Sequence, residues 1–178
     1  MTTKSQSTSG TVVYVLDTSV SPHVAVLVPQ LKGIDKIGGG QVKKIDISNF
    51  DSPGYDEYAA GRAAPPEGMG ELVLDLANTG QQSLKKLFEA GISGTAVGVQ
   101  IYVGQAGTGA PTVVSGALVP PQSASPKKWV RNGFLANIYL SDYTPKAVDN
   151  DVYRAEFKFQ FTGKTQWQVK GQPIATTY

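Results

Sequence analysis

Apolar and polar residues alternate at every second position through much of this chain. That period marks strands, because successive side chains of an extended backbone point to opposite faces. The longest such run covers residues 152–161: Tyr153, Ala155, Phe157, Phe159 and Phe161 share one face, and Arg154, Glu156, Lys158 and Gln160 the other. Residues 71–76 set Leu72, Leu74 and Leu76 against Glu71, Val73 and Asp75, and residues 96–103 set Val97, Val99, Ile101 and Val103 against Gly98, Gln100 and Tyr102. Residues 41–47 alternate in the same way, and β-branched runs predict strands at 11–16, 23–28, 112–119 and 166–169. Residues 129–140 read as one bent strand or two, with Asn132-Gly133 as the turn or bulge. Residues 30–40 read as a loop ending in three glycines.

One segment has a helical period instead. Leu84, Leu87 and Phe88 fall at i, i+3 and i+4, Thr79 and Gln82 have the spacing of a capping box, and Gly91 stands where a helix ends. The apolar stripe is expected to pack on a sheet. Strands, then one helix, then more strands predict a mainly β fold: an antiparallel β-sandwich or barrel with one short α-helix packed on its side.

Residues 48–70 have no period and read as a single long loop. Loops beyond about 12–15 residues are uncommon in compact domains and are usually functional or disordered. Phe50, Tyr55, Tyr58 and Met69 supply apolar anchors that a disordered linker lacks. Such a loop needs a surface to lie on, and another copy of the chain can supply one.

Composition removes several kinds of chemistry. The 178 residues fit a single domain spanning 1–178, and the absence of cysteine rules out disulfides, thiol catalysis and thiolate metal sites. The formal charge of +2, from 16 basic and 14 acidic residues, is too balanced for a dedicated nucleic-acid binder. The polar residues 1–10 lack the apolar core of a signal peptide, and no apolar run is long enough for a membrane-spanning helix, so no membrane insertion is expected.

Catalytic constellations are weak. His23 is the lone histidine and has no placed carboxylate; Ser93-Gly94 and Ser115-Gly116 lack the nucleophile elbow. Gly163-Lys164-Thr165 lacks the first glycine of a phosphate loop and reads as a hairpin turn, and the glycine-rich 104–109 leads to a strand rather than a helix. Asp142, Asp149 and Asp151 could serve a glycosidase or bind calcium, but without the spacing of either they read as a polar turn. Residues 127–131 (KKWVR) mix basic and aromatic residues as single-strand binders do, and read as a solvated strand start. No catalytic residue, metal site or cofactor is expected. The polar strand faces then remain, either as ordinary surface or as the wall of a water-filled channel built from several subunits.

Residues 44–54 (KIDISNFDSPG) resemble the start of the long loop in major tail tube proteins of long-tailed bacteriophages. Residues 68–76 (GMGELVLDL) resemble the strand that re-enters the fold there, residues 81–88 (QQSLKKLF) that family's single helix, and residues 169–173 (VKGQP) its ending. The resemblance, which extends to tube proteins of contractile tails and type VI secretion, implies a structural protein and not an enzyme. It implies hexameric rings whose inner sheets join into one β-barrel and stack into a tube, the conduit for double-stranded DNA. Implied partners are further copies of the chain, a tape measure protein and tail tip or terminator proteins; the implied setting is the virion tail, assembled in the host cytoplasm.

Residue roles follow from the same resemblance. Phe50, Asp51, Tyr55, Tyr58, Arg62 and Met69 become anchors between subunits, with further contacts from the arm at 1–10 and the end at 171–178. Glu71, Asp75, Gln100, Arg154, Glu156, Lys158 and Gln160 become candidates for the lumen, giving it a mixed lining of modest net negative charge. The competing functions are a virion decoration or receptor-binding module and, with less support, a carbohydrate-active enzyme.

Overall fold

The computed structural model describes residues 10–35, 42–46, 58–63, 67–93, 99–107, 109–148, 152–162 and 165–174, with the backbone alone at 42–46 and 58–63. Among the described residues, twelve strands and one helix follow in the order β1 (Thr11–Asp17), β2 (Val24–Val28), β3 (Leu31–Asp35), β4 (Val42–Asp46), β5 (Tyr58–Ala63), β6 (Glu67–Val73), α1 (Thr79–Ile92), β7 (Val99–Gln105), β8 (Thr112–Val114), β9 (Ala117–Val119), β10 (Gly133–Val148), β11 (Val152–Phe161) and β12 (Gln166–Gln168). Eight strands form one sheet in the order β2-β1-β7-β10-β11-β6-β3, with β12 paired to β10. Every pairing in it is antiparallel.

The ends of this sheet are β2 and β3, yet only Pro29 and Gln30 separate them in the chain. The sheet must therefore curl until its edges approach, and the Val73 N–H on β6 donates to the Gln30 carbonyl at 3.1 Å. The concave face holds the core: Val13, Val15, Ile101, Val103, Phe134, Ile138 and Leu140 from one wing, and Leu72, Ala155, Phe157, Phe159 and Phe161 from the other. The helix closes the body, with Leu84 fully buried, Leu87 and Phe88 packed against the core, and the Phe88 ring 6.3 Å from that of Tyr143.

Several sequence expectations shift. Residues 30–40 contain β3, and residues 48–70 contain β5 and the start of β6, so the segment is not one featureless loop. Strand β6 starts at Glu67 rather than Glu71 and ends at Val73, leaving Leu76 at 69% exposure. Its first half looked like loop because of Gly68 and Gly70. Those glycines face Phe159 and Phe157 of β11, and a Cβ on either would lie 2.3 Å from the opposing ring. The two rings thus occupy the space that β6 side chains would fill.

Residues 112–119 form a hairpin of β8 and β9 rather than one strand, turned by Ser115 (φ 51°) and Gly116 (φ 78°). Positive φ at both central positions is what a tight two-residue hairpin turn demands. Strand β10 runs past Leu140 to Val148 through a register shift between Leu140 and Asp142. At the helix start the cap is Asn78, whose Oδ1 accepts from the N–H groups of Gly80 (2.9 Å) and Gln81 (3.3 Å). Thr79 is already the first helical residue and Gly91 lies inside the helix, so neither takes its expected capping place.

Candidate functional site

The convex face of β3, β6, β11 and β10 is polar, and register decides which residues meet on it. Lys158 of β11 stands between Met69 of β6 and Asp142 of β10; Glu156 stands between Glu71 and Thr144; Arg154 stands between Val73 and Lys146. Gln160 lies between Glu67 and Tyr139, and Asp35 of β3 pairs with Met69 at the sheet edge. The structure thus gathers Glu71, Arg154, Glu156, Lys158 and Gln160 on one surface.

These side chains pair among themselves. Arg154 Nη1 reaches Glu71 Oε1 at 3.0 Å, Lys146 Nζ reaches Glu156 Oε2 at 2.7 Å, and Lys158 Nζ reaches Asp142 Oδ2 at 3.5 Å. Gln160 Nε2 donates to Glu67 Oε1 at 2.9 Å, and Gln160 Oε1 accepts from the Tyr139 hydroxyl. Each of these pairs is substantially solvated, so each contributes little to stability. Their importance is for the field of the face. Asp142 is held below the ordinary carboxylate range first by the Thr144 hydroxyl, which donates to its Oδ1 at 2.8 Å, and then by Lys158.

Two candidates for this face lie elsewhere. Asp75 follows the end of β6 and makes a turn: its carboxylate accepts from the Ala77 N–H at 3.1 Å and its N–H donates to Gln81 Oε1 at 2.7 Å. Gln100 shares the sheet face by register, opposite Asn137, but the β8–β9 hairpin covers it and its Oε1 accepts from the Leu118 N–H at 2.6 Å. Met69, expected in the long loop, is a strand residue of the polar face, 40% exposed.

Phe50, Asp51 and Tyr55 lie outside the described residues, as do residues 1–9 of the arm and 175–178 of the C-terminal end. Tyr58 and Arg62 sit on β5, which pairs with β4 as a separate two-stranded sheet. Because Asp35 is paired with Met69, residues 36–66 leave and rejoin the main sheet at nearly the same point. The β4–β5 hairpin is an excursion from the β3–β6 edge. Two-stranded hairpins are marginal alone.

Sequence reasoning missed three structural residues. Gln81 is 2% exposed; its amide donates to the Val73 carbonyl at 2.8 Å while its Oε1 takes the Asp75 N–H, tying the end of β6 to the helix. Trp129 and Arg131 are buried while Lys127, Lys128 and Val130 are exposed, so the expected solvated strand start at 127–131 holds for only part of the run. Arg131 donates to the carbonyls of Gln105 (2.9 Å) and Gly109, holding the glycine-rich loop, while Trp129 exchanges backbone hydrogen bonds with Gly171 and Gln172. The C-terminal segment through Ile174 thus packs on its own subunit. A short run of mixed polarity carries no signal for such burial.

Among the described residues, no group of three or more histidine or acidic side chains is placed to hold a metal ion, and no helix is long and apolar enough to cross a membrane. A cavity of about 390 Å³ bounded by Thr112, Pro120, Pro121 and Val130 is lined without a charged side chain.

A family model described as phage tail tube, TTP, lambda-like, matches residues 4–171. A sequence search of curated proteins finds no match. Among solved structures, the chain is similar to the SPP1 tail tube (TM-score 0.56, 8% identity, 90% of this chain and 78% of that one). It is also similar to a chain of the virion of a native gene transfer agent particle (0.54, 12%, 89% and 95%). A third likeness is to the PVC sheath–tube complex of an extracellular contractile injection system (0.53, 11%, 90% and 88%). At these identities the likeness shows a shared fold.

Proposed function

Because this chain belongs to the lambda-like phage tail tube family, a family of structural proteins of the virion tail, we propose that it assembles as hexameric rings that stack into a tube. The polar face of β3, β6, β11 and β10 lines the lumen, through which double-stranded DNA passes. The β4–β5 hairpin and the residues flanking it, with Phe50, Asp51, Tyr55, Tyr58 and Arg62, lie on a neighbouring subunit. The tube is capped and measured by terminator, tip and tape measure proteins, and the chain itself has no catalytic role.

The observation that carries this reading is a continuous polar face that runs to the edge strand β3 of the sheet. An exposed edge is a liability that closing strands from several copies into a ring removes. The hairpin gives the sharpest test. Replacing residues 36–66 with a short turn joins Asp35 to Glu67 where β3 and β6 are already paired, so the main sheet should fold. Negative-stain micrographs should then show tubes from the full chain and none from the shortened one; tubes from the shortened chain would refute the hairpin's role. Met69→Cys, the sole thiol in a chain without cysteine, locates the face. In tubes it should react with a small maleimide but not with one carried on a globular protein, whereas unassembled protomers react with both. Carrier labelling within tubes would place the face outside.

A further inference from the structure

Among the described side chains the polar face holds three cations, each lying against a carboxylate, and for two of them strand pairing works against it. Lys146 stands directly opposite Arg154, and Glu71 directly opposite Glu156. Like charges directly opposed repel. Both conflicts are resolved diagonally: Arg154 turns to Glu71 and Lys146 to Glu156. Lys158 takes the directly opposed Asp142, whose other oxygen is held by Thr144. Asp35 and Glu67 add carboxylates that meet no cation in these pairs, since Glu67 is bound by the neutral Gln160. Five carboxylates therefore face three cations among the described residues of this surface.

We propose that Glu71, Asp142 and Glu156 act as masks: they neutralise Arg154, Lys158 and Lys146 so that duplex DNA crosses this face without being held. This rests on the lumen assignment above and specifies its chemistry. The partner is a polyanion that must slide. A cation free to meet a phosphate releases a counterion and gives binding whose log affinity falls by about 0.9 per log unit of salt. Repeated round a ring, three such cations would turn a conduit into a trap. With its carboxylate 2.7, 3.0 or 3.5 Å away, each cation is presented to a passing phosphate as part of a neutral pair.

The test uses the full chain as unassembled protomers and a short fluorescein-labelled DNA duplex, read by anisotropy. The triple variant Glu71→Gln, Asp142→Asn, Glu156→Gln should bind more tightly than the unaltered chain. Its affinity should fall about 40-fold further than the unaltered chain's between about 50 and 200 mM salt, the drop expected for three phosphate contacts. Adding Lys146→Gln, Arg154→Gln and Lys158→Gln should abolish the gain. Equal salt slopes for the triple variant and the unaltered chain would overturn the proposal, as would a gain that survives removal of the three cations. Should the triple variant lose its circular dichroism spectrum, the three single variants apply the same criterion, each expected to add about one contact to the slope. The assay needs no ring. Its failure sinks the masking and leaves the lumen assignment standing, whereas carrier labelling of Met69→Cys in tubes sinks the lumen assignment itself.

Discussion

Gly70→Ala should destabilise this protein although alanine ordinarily stabilises a strand relative to glycine. Replacing glycine removes unfolded-state freedom and is favourable by roughly 0.5–1 kcal/mol where the backbone tolerates it. Here the added Cβ would lie 2.3 Å from Phe157 Cζ, more than 1 Å inside ordinary contact at 3.4 Å. The ring has no retreat: Phe157 is 1% exposed, and Phe159 stacks on it with centroids 6.0 Å apart. Phe159 is in turn seated over Gly68 and edge-on to Phe161 at 5.3 Å. Overpacking of this kind costs about 1–3 kcal/mol, which exceeds the entropic gain. The expected outcome is a net loss of about 1–2 kcal/mol, seen as a lower urea midpoint at unchanged slope. Phe157→Leu should soften the penalty, so the double variant should lose less than the two single losses combined. A Gly70→Ala variant as stable as the unaltered chain would show that the ring can move and that the glycine row is not what seats it.

Two further outcomes follow from polar contacts. Gln81→Leu should cost about 2–3 kcal/mol in urea unfolding, because the Val73 carbonyl and the Asp75 N–H lose their partner inside the body; a loss below about 0.5 kcal/mol would mean water replaces the amide. Burial pushes Asp17 up, but hydrogen bonds from Ser19 and Ser83 and the charge of Lys86 outweigh it, so its folded pKa is lowered. Its contribution to stability is present above the unfolded value of about 3.9 and is lost as pH falls through the folded one. Asp17→Asn should therefore flatten the fall in urea midpoint on acidification below about pH 4, and parallel curves for the two proteins would refute the assignment.

Local periodicity made the core strands and the helix readable. Strand β11 occupies the very residues predicted from its alternation, and Leu84, Leu87 and Phe88 mark the helical stripe. What escaped was set by residues distant in the chain. Gly68 and Gly70 look like loop until the rings of Phe159 and Phe157 are placed over them. Gln81 looks like a surface helix residue until the end of β6 is placed beside it. Residues 141–148 read as a polar turn, since Pro145 and the charged residues around it carry no strand pattern; pairing with β11 makes them a strand.

The polar face depends on a single irregularity that no period could reveal. Before Leu140, even-numbered residues of β10 point into the core: Phe134, Ala136, Ile138 and Leu140 are all buried. Continued unbroken, that alternation would drive Asp142, Thr144 and Lys146 inward and Tyr143 outward. The register shift between Leu140 and Asp142 reverses the parity. Tyr143 then meets Phe88 under the helix, while Asp142 and Lys146 come out to face Lys158 and Glu156. One extra residue in a strand exchanges its two faces. The bulge at Ser141 thus serves the core and the charge pairing together. The ion pairs are weak individually, but the parity that allows them is enforced by burial of an aromatic ring and by the cost of burying charge, so the face is as fixed as the core behind it.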